Sequence, residues 1–594
     1  MPVDVTRYIA LAYDAITNVY EQEFHNTLGI PKPEVDFLLH DDDNYYTGQY
    51  YITIDQTWQI HLNFGKLPIS FQEFQDEVKV LTRHEIGHYM CCPFDVITHF
   101  RMLKRICDVY KKNFSHLNLN IDKLCGSISN QAADIIVDTV NYMRHPQETL
   151  ISEINWIKKG ADLRTCPRHS KLMFLTKEAI WGQSLDINET DTELLGIVHS
   201  LADKFKENGI DDKASFLDKT EEYTRVFFKL YIQDKNHQAN NSQNNTQSQG
   251  SQNGQGGLSQ NGQQGQSHGN PQGSNSNGQQ GQNSGQQTTH HPSQSGKPKD
   301  GSENGSAFVF ADPDKVKEAI EAFAQESNIQ DFVEILSIAG IGGMTKKEME
   351  KLWFCMQSAG MIPIEEYSNS GSKDSYTYPA IWKMGDSIED MDLMLSFMTS
   401  PIMLPGITTK KWEMSTNDQQ GIEKKQRDLL LVLDISHSMG VVTNKAANMH
   451  HAVFAAYGVL SYFESINGQV ALIEFNNRVI VNTGWTKHYD DIRDKLLVTG
   501  SGGTVFPIRE VTDILDKSQN EIVTVLITDG DLGNINQSMD YFRDYLNDDN
   551  KLYVFILGNS RSIKTYENLK AIGAKVYQAN DAKDFCQMVI GDII

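Results

Sequence analysis

A chain of 594 residues is too long for one hydrophobic core, and its length is that of about three or four domains. A formal charge of −24 argues against sequence-independent binding to nucleic acid or to an anionic membrane, and no apolar run approaches the roughly 20 residues that span a bilayer. Seven cysteines, scattered without framework spacing, suit free thiols in a reducing compartment. The first residues, MPVDVTRYIALAYD, carry acids inside their apolar pattern and no small-residue cleavage site, so they do not read as a secretion signal. A cytoplasmic location is expected.

Residues 4–24 have the spacing of an amphipathic helix, with Tyr8, Leu11, Ile16, Val19 and Tyr20 on its apolar face. Short β-like runs follow at 35–40, 50–54 and 58–64. The last alternates Trp58, Ile60, Leu62 and Phe64 with Gln59, His61 and Asn63, as a half-exposed strand does. Residues 71–82 return to helical spacing at Phe74, Val78 and Leu81, and lead directly into His84-Glu85-Ile86-Gly87-His88. On a helix this H-E-x-x-H pattern puts His84 and His88 one turn apart, able to grip a single zinc ion. Glu85 then sits beside the open coordination position, where a carboxylate can take a proton from metal-bound water. Gly87 is expected to leave room next to the metal.

A catalytic zinc usually takes three protein ligands. The stretch NQAADIIVDTVNYMRH, residues 130–145, supplies the best third one. Asp134 and Asp138 lie one helical turn apart, amid neighbours that are apolar nearly all round. A buried carboxylate without a partner is expensive, which favours Asp134 on the zinc. Asp138 would then face the outer nitrogen of a histidine and fix its tautomer. Asn141 and His145 continue the same face, making His145 a second catalytic candidate beside Glu85. The alternatives for the third ligand are Asp138 itself, Asp95 and His99. Cys91-Cys92 could also ligate, although a thiolate is unusual at a hydrolytic zinc.

The HEIGH helix followed by an AAD helix resembles the bacterial metallopeptidases that are fused to a von Willebrand factor A-like domain. In that family the H-E-x-x-H histidines and an Asp in a later A-x-D-type helix are the expected zinc ligands, which implies His84, His88 and Asp134 here. The layout is also similar to that of thermolysin-like enzymes. This chain departs from them in having Asp where they carry Glu, a reach shorter by one methylene. The resemblance implies a zincin-like metallopeptidase domain with a helical extension over residues 1–235.

Residues 152–233 are mostly helical in pattern, and Cys166-Pro-Arg-His169 reads as a loop because a lone C-x-x-H specifies little. From 236 to 296 the chain has no charged residue apart from histidine and consists almost wholly of Asn, Gln, Ser and Gly. Such a segment cannot bury enough apolar surface to fold, so 236–306 is expected to be a disordered linker, with a span of roughly 40–45 Å over its uncharged part. Its ends mark domain boundaries. Residues 307–426 read as a helical and irregular connecting region, in which Thr345 and Glu348 form a capping box. The glycines at 340, 342 and 343 are not followed by G-K-[ST], so no phosphate loop is present there.

From residue 427 apolar strands alternate with helices: 429–436, 470–475, 522–527 and 552–557, with a helix over 446–464. That pattern predicts a doubly wound parallel sheet, with its ligand site at the carboxyl ends of the strands. The first strand ends in Asp434-Ile-Ser436-His-Ser438, a D-x-S-x-S that resembles the metal-ion-dependent adhesion site of von Willebrand factor A domains. Thr504 in GSGGTVFP and Asp529 in LITDGD match, in order, the family's remaining ligands. This resemblance covers 427–594. Hard oxygen donors of this kind suit Mg²⁺.

The fold class expected is therefore multidomain, α+β and α/β. The expected function is that of a zinc-dependent metallopeptidase, able to remain latent until a partner binds, with a Mg²⁺-binding domain that recruits its protein substrate or regulator. The domain pairing implies a MoxR-type AAA+ ATPase as partner. The alternative is a non-enzymatic adaptor with a structural zinc and a Mg²⁺-dependent docking domain. Glu85 favours the enzyme, because an adaptor has no use for a base beside the metal.

Overall fold

The structure is a computed structural model. It describes residues 5–24, 34–39, 50–52, 59–64, 70–159, 163–247, 313–340, 344–358, 374–387, 390–400, 402–416, 427–518, 520–530, 532, 534–547, 550–558 and 563–579. The remainder of the expected linker, and glycines 342 and 343, lie outside the described residues.

α1 (Val5–Val19) continues into one π-helical turn, Tyr20–Phe24. Its Tyr8, Ala12 and Ile16 form a buried cluster with Phe74, Val78 and Ile86 of α2 (Phe71–Met90). β1 (Glu34–Leu39), β2 (Tyr50–Ile52) and β3 (Gln59–Phe64) make a sheet in the order β1-β3-β2, in which β1 runs parallel and β2 antiparallel to β3. The side-chain alternation expected along the last strand lies outside what is described. Ser70 caps α2 by accepting a hydrogen bond from the Glu73 amide at 3.1 Å.

A helical body follows: α3 (Val96–Asn113), α4 (Ile121–Arg144), α5 (Pro146–Lys159), α6 (Arg168–Trp181), α7 (Thr192–Lys206) and α8 (Phe216–Gln247). α4 is its axis, buried nearly all round between Cys125 and Asn141. The Cys166–His169 run is only partly a loop, since Arg168 opens α6 and His169 Nδ1 lies 2.6 Å from Asp234 Oδ2 on α8. α8 also runs past residue 236 to Gln247, into the start of the expected linker. A packed helix can extend its backbone hydrogen bonds into polar residues that could not nucleate a turn themselves.

Beyond the linker, α9 (Pro313–Glu326), α10 (Ile329–Ala339) and α11 (Lys346–Ser358) pack on elements to either side of them. Phe323 of α9 meets Phe100 of α3 with ring centroids 5.4 Å apart, and Lys104 and Lys111 of α3 pair with Asp331 of α10 at 3.1 and 3.2 Å. The capping box forms at the start of α11, with Glu348 N 3.3 Å from Thr345 Oγ1 and Thr345 N 2.6 Å from a Glu348 carboxylate oxygen. The 307–426 region, read from sequence as helical and irregular, contains a small antiparallel sheet: β4 (Asp374–Ile381), β5 (Met391–Asp392) and β6 (Lys410–Thr416), in the order β4-β6-β5, with α12 (Leu393–Thr399) between β5 and β6 in the chain. β4 and β6 do alternate, Tyr376 and Tyr378 with Ser375 and Thr377, and Trp412 and Met414 with Glu413 and Ser415, a strand signal that Pro379 interrupts in β4. Side-chain bonds brace the connecting loop, as where Thr409 Oγ1 donates to the Trp382 carbonyl at 2.9 Å.

The C-terminal domain contains β7 (Arg427–Asp434), α13 (Asn448–Ser465), β8 (Val470–Phe475), β9 (Val479–Asn482), α14 (Tyr489–Lys495), α15 (Ile508–Leu515), β10 (Glu521–Thr528), α16 (Met539–Asn547), β11 (Lys551–Leu557), α17 (Ile563–Ala571) and β12 (Lys575–Ala579). Its sheet has the order β12-β11-β10-β7-β8-β9, parallel throughout except for β9. Leu429, Leu431 and Leu433 pack into one apolar cluster, while Leu430 and Val432 pack into another, so both faces of β7 are covered. The chain leaves β7 first toward β8 and later returns to its other side at β10. Asp434 therefore ends a strand at the switch point, where open α/β sheets form a crevice. α11 covers this domain as well: Phe354 lies 5.4 Å from Tyr457 and Lys351 pairs with Asp494 at 3.1 Å. Among the described residues no helix is long and apolar enough to cross a membrane.

Candidate metal centres

α2 and α4 lie unusually close together. A Cβ built on Gly87 would sit 2.5 Å from Val137 Cγ1, so only glycine admits this approach. The space expected beside the metal is thus filled by α4 itself. Asp134 is one turn from Val137, and the close contact brings its short side chain to the histidines. His84 and His88 Nε2 are 3.2 Å apart, and Asp134 Oδ1 lies 3.6 Å from the first and 3.3 Å from the second. Among the described residues these three form the one group of His, Cys, Asp and Glu placed to share a metal.

The partners of the outer atoms decide what the inner ones offer. His88 Nδ1 is 3.0 Å from the Cys92 carbonyl, which only accepts, so the proton sits on Nδ1. His84 Nδ1 lies 2.6 Å from Asp138 Oδ1. Asp134 Oδ2 accepts from Asn130 Nδ2 at 3.0 Å, whereas its buried Oδ1 has no hydrogen-bond partner. Three potential metal-ligand atoms therefore converge on one point, and a shared proton can join only two of them. Donors about 2.0–2.1 Å from a tetrahedral zinc stand roughly 3.3–3.4 Å apart. The three separations bracket that value, and the residues fit the ion. Burial alone would lower the His84 imidazole, but Asp138 outweighs it and, with Asp134, raises it to about 10. The site's electrostatics favour a cation at this place.

Glu85 is buried next to the histidines. Burial pushes its carboxyl up, against the pull of His84 and His88. Asp138 is held below the usual carboxylate range: Lys177 and His84 overcome its burial. Lys177 is a residue the sequence reading missed. It lies on α6, and nothing in its local pattern ties it to a histidine far upstream.

The other candidates are placed elsewhere. α4 ends at Arg144, and His145 follows as its C-cap, its amide still bonded to the Asn141 carbonyl and its Nε2 3.3 Å from Glu23 Oε2. That departs from a catalytic placement beside Glu85. Asp95 caps α3, accepting from the Thr98 amide at 2.7 Å. His99 is buried behind His88, and burial lowers its imidazole to about 3. Cys92 contributes its carbonyl, while its sulfur rests 3.9 Å from Met102 Sδ.

The second centre lies at the carboxyl end of β7. Ser436 and Ser438 Oγ are 3.1 Å apart, and Ser438 Oγ donates to Asp529 Oδ1 at 3.0 Å. Octahedral Mg²⁺ with donors at 2.0–2.1 Å separates adjacent donors by roughly 2.9 Å, so this spacing also fits. Asp434 is fully buried, and its two oxygens accept from the Ser436 amide at 2.8 Å and Thr528 Oγ1 at 2.7 Å. With both oxygens engaged, it suits contact with the ion through water. Thr504 stands partly exposed in a loop held by Asn476 Nδ2 on the Ser501 carbonyl, at 2.7 Å, and by the His437 amide on the Gly502 carbonyl, at 3.2 Å. A residue not anticipated here is Asn448, at the start of α13, which donates to Asp529 Oδ2 at 3.1 Å.

No family model matches the chain, and no curated protein does. Among solved structures it is similar to BatB of Bacteroides thetaiotaomicron, at 14% identity over 28% of this chain and 97% of that one, with a TM-score of 0.24. It is also similar to a von Willebrand factor type A structure from Catenulispora acidiphila, at 15% identity over 28% of this chain and 42% of that one, TM-score 0.22. The pilus adhesin SpaC of Lactobacillus rhamnosus GG matches at 15% identity over 30% of this chain and 31% of that one, TM-score 0.25. Such low scores leave the reading of the C-terminal domain resting on its own strand order and its cluster of hydroxyls and carboxylates.

Proposed function

We propose that the chain is a zinc-dependent peptidase whose C-terminal domain, of the von Willebrand factor A type, binds Mg²⁺ and recruits a protein substrate or regulator. The observation that carries this reading is the convergence of His84 Nε2, His88 Nε2 and the unpartnered Asp134 Oδ1, with Glu85 buried beside them. Zinc held by His84, His88 and Asp134 would supply a Lewis acid for a peptide carbonyl and for water. Glu85 takes the proton of the attacking water and passes it to the leaving amine. Burial raises that carboxyl, which favours its holding the proton between the two transfers. β2, an edge strand of its sheet, packs against α2 and offers backbone groups to an extended peptide.

In the Mg²⁺ set of Asp434, Ser436, Ser438, Thr504 and Asp529 the hydroxyls and carboxylates serve as ligands of the ion, and an acidic side chain of a partner would complete its shell. A MoxR-type AAA+ ATPase is the partner this reading favours. The chain has no phosphate loop, so any ATP-driven step belongs to that partner. The test is metal analysis together with proteome-wide mapping of new termini, in cells carrying the wild type or Glu85→Gln. Termini that depend on Glu85 support the peptidase. Zinc binding with no termini lost in Glu85→Gln leaves the adaptor, in which zinc is structural.

A further inference from the structure

Asp138, which faces His84, is itself held from behind. Its Oδ1 is 2.6 Å from His84 Nδ1, while its Oδ2 accepts from the Lys177 ammonium. The same ammonium donates to Glu153 Oε1 at 2.8 Å. Three helices meet in this chain of contacts, since Asp138 is on α4, Glu153 on α5 and Lys177 on α6. Lys177 is almost wholly buried.

A buried ammonium is costly to desolvate, and an apolar side chain of similar length usually fills such a space at least as well. Packing alone therefore gives no reason for a lysine. The reason lies in what its charge does to Asp138. A carboxylate with one oxygen free can rotate, or can carry the proton itself and become a donor. With Oδ2 accepting from the ammonium, Oδ1 is left fixed as an acceptor toward His84. Nδ1 of His84 then keeps its proton, and Nε2 is the nitrogen that a metal ion would take beside His88 and Asp134.

We propose that Lys177 is a positioning residue of the zinc centre, acting through Asp138 to set the orientation and tautomer of His84. This rests on the zinc reading above. Contacts behind a metal-bound histidine typically govern about 10–100-fold in metal affinity. The experiment is a competition titration of Zn²⁺ against a chromophoric chelator on the full chain, for wild type, Lys177→Met, Lys177→Arg, Asp138→Asn and the double variant Asp138→Asn/Lys177→Met. The visible spectrum of the Co²⁺ forms is recorded alongside.

Lys177→Met is expected to lose about 10–100-fold in zinc affinity and to shift the Co²⁺ spectrum, while Lys177→Arg keeps most of both. In the Asp138→Asn background, Lys177→Met is expected to cost nothing further. A Lys177→Met protein with wild-type zinc affinity overturns the proposal, and so does an equal loss with and without Asp138. Should Lys177→Met not fold, Lys177→Gln, which leaves a neutral donor facing Asp138, takes its place in the same cycle. A wild type that binds no zinc would instead remove the zinc reading, and this inference with it.

Discussion

The two candidate centres are built in opposite ways. The zinc set sits on two helices in contact through Gly87 and Val137; the outer nitrogen of His84 is held by Asp138 on the second helix, and that of His88 by the Cys92 carbonyl just past the end of its own. The Mg²⁺ set sits on loops at the end of a sheet, where Ser436, Ser438 and Asp529 hydrogen-bond to one another. Packing orients the first; the would-be ligands orient each other in the second. A helix-borne site is stiff and suits chemistry that depends on sub-ångström placement. A loop-borne site can rearrange its hydrogen bonds when a partner's carboxylate arrives, which suits recognition.

The largest effect that would break this contrast is on metal content. Asp134→Ala is expected to take zinc from about one per chain to almost none, while Asp95→Ala and His99→Ala keep it. Elemental analysis decides the matter, and retention in Asp134→Ala with loss in His99→Ala would reassign the third ligand. Next in size is Glu85→Gln, expected to lower cleavage of an unstructured peptide by roughly 10²–10⁴-fold with zinc retained. The paired change Asp434→Ala/Ser436→Ala sharpens the comparison from the other side. It should abolish Mg²⁺-dependent capture of a partner in a pull-down while leaving peptide cleavage by purified protein nearly intact, unless the zinc site is latent.

Two smaller effects test how each region is held. Phe323→Ala removes the ring that joins α9 to Phe100, a truncation that costs about 3–5 kcal/mol in a packed core. If the block from α9 to α11 binds the two regions together, a chain cut within residues 248–306 should stay a 1:1 complex on gel filtration, and Phe323→Ala should release it. Gly87→Ala puts a methyl against Val137 and should cost about 1–3 kcal/mol in thermal unfolding, with weaker zinc binding. Val137→Ala in the same chain should relieve much of that cost.

Much of this architecture is written in short-range patterns. The i, i+4 spacing of His84 and His88 follows from helix geometry alone, as does the shared face of Asp134 and Asp138. The continuous apolar runs of β7, β8, β10 and β11 announce buried strands because they must be covered on both faces. The same local logic extended one face too far at His145. A helical wheel ignores Pro146, whose ring disfavours helical backbone at the residue before it, so α4 stops at Arg144 and α5 begins at the proline.

What only the tertiary structure decided lies between segments. Lys177 stands 39 residues beyond Asp138, and Asn448 stands 81 residues before Asp529; no periodicity links such pairs. The docking of α9 and α10 onto α3 likewise crosses the linker, through Phe323, Asp331 and their partners. The small sheet within residues 374–416 has a pairing order, β4-β6-β5, that no single strand's own pattern fixes. Local spacing thus determined which residues could serve as ligands and which segments are core. The long-range contacts that hold His84 from behind and join the regions arise from packing, whose partners are chosen by the folded chain as a whole.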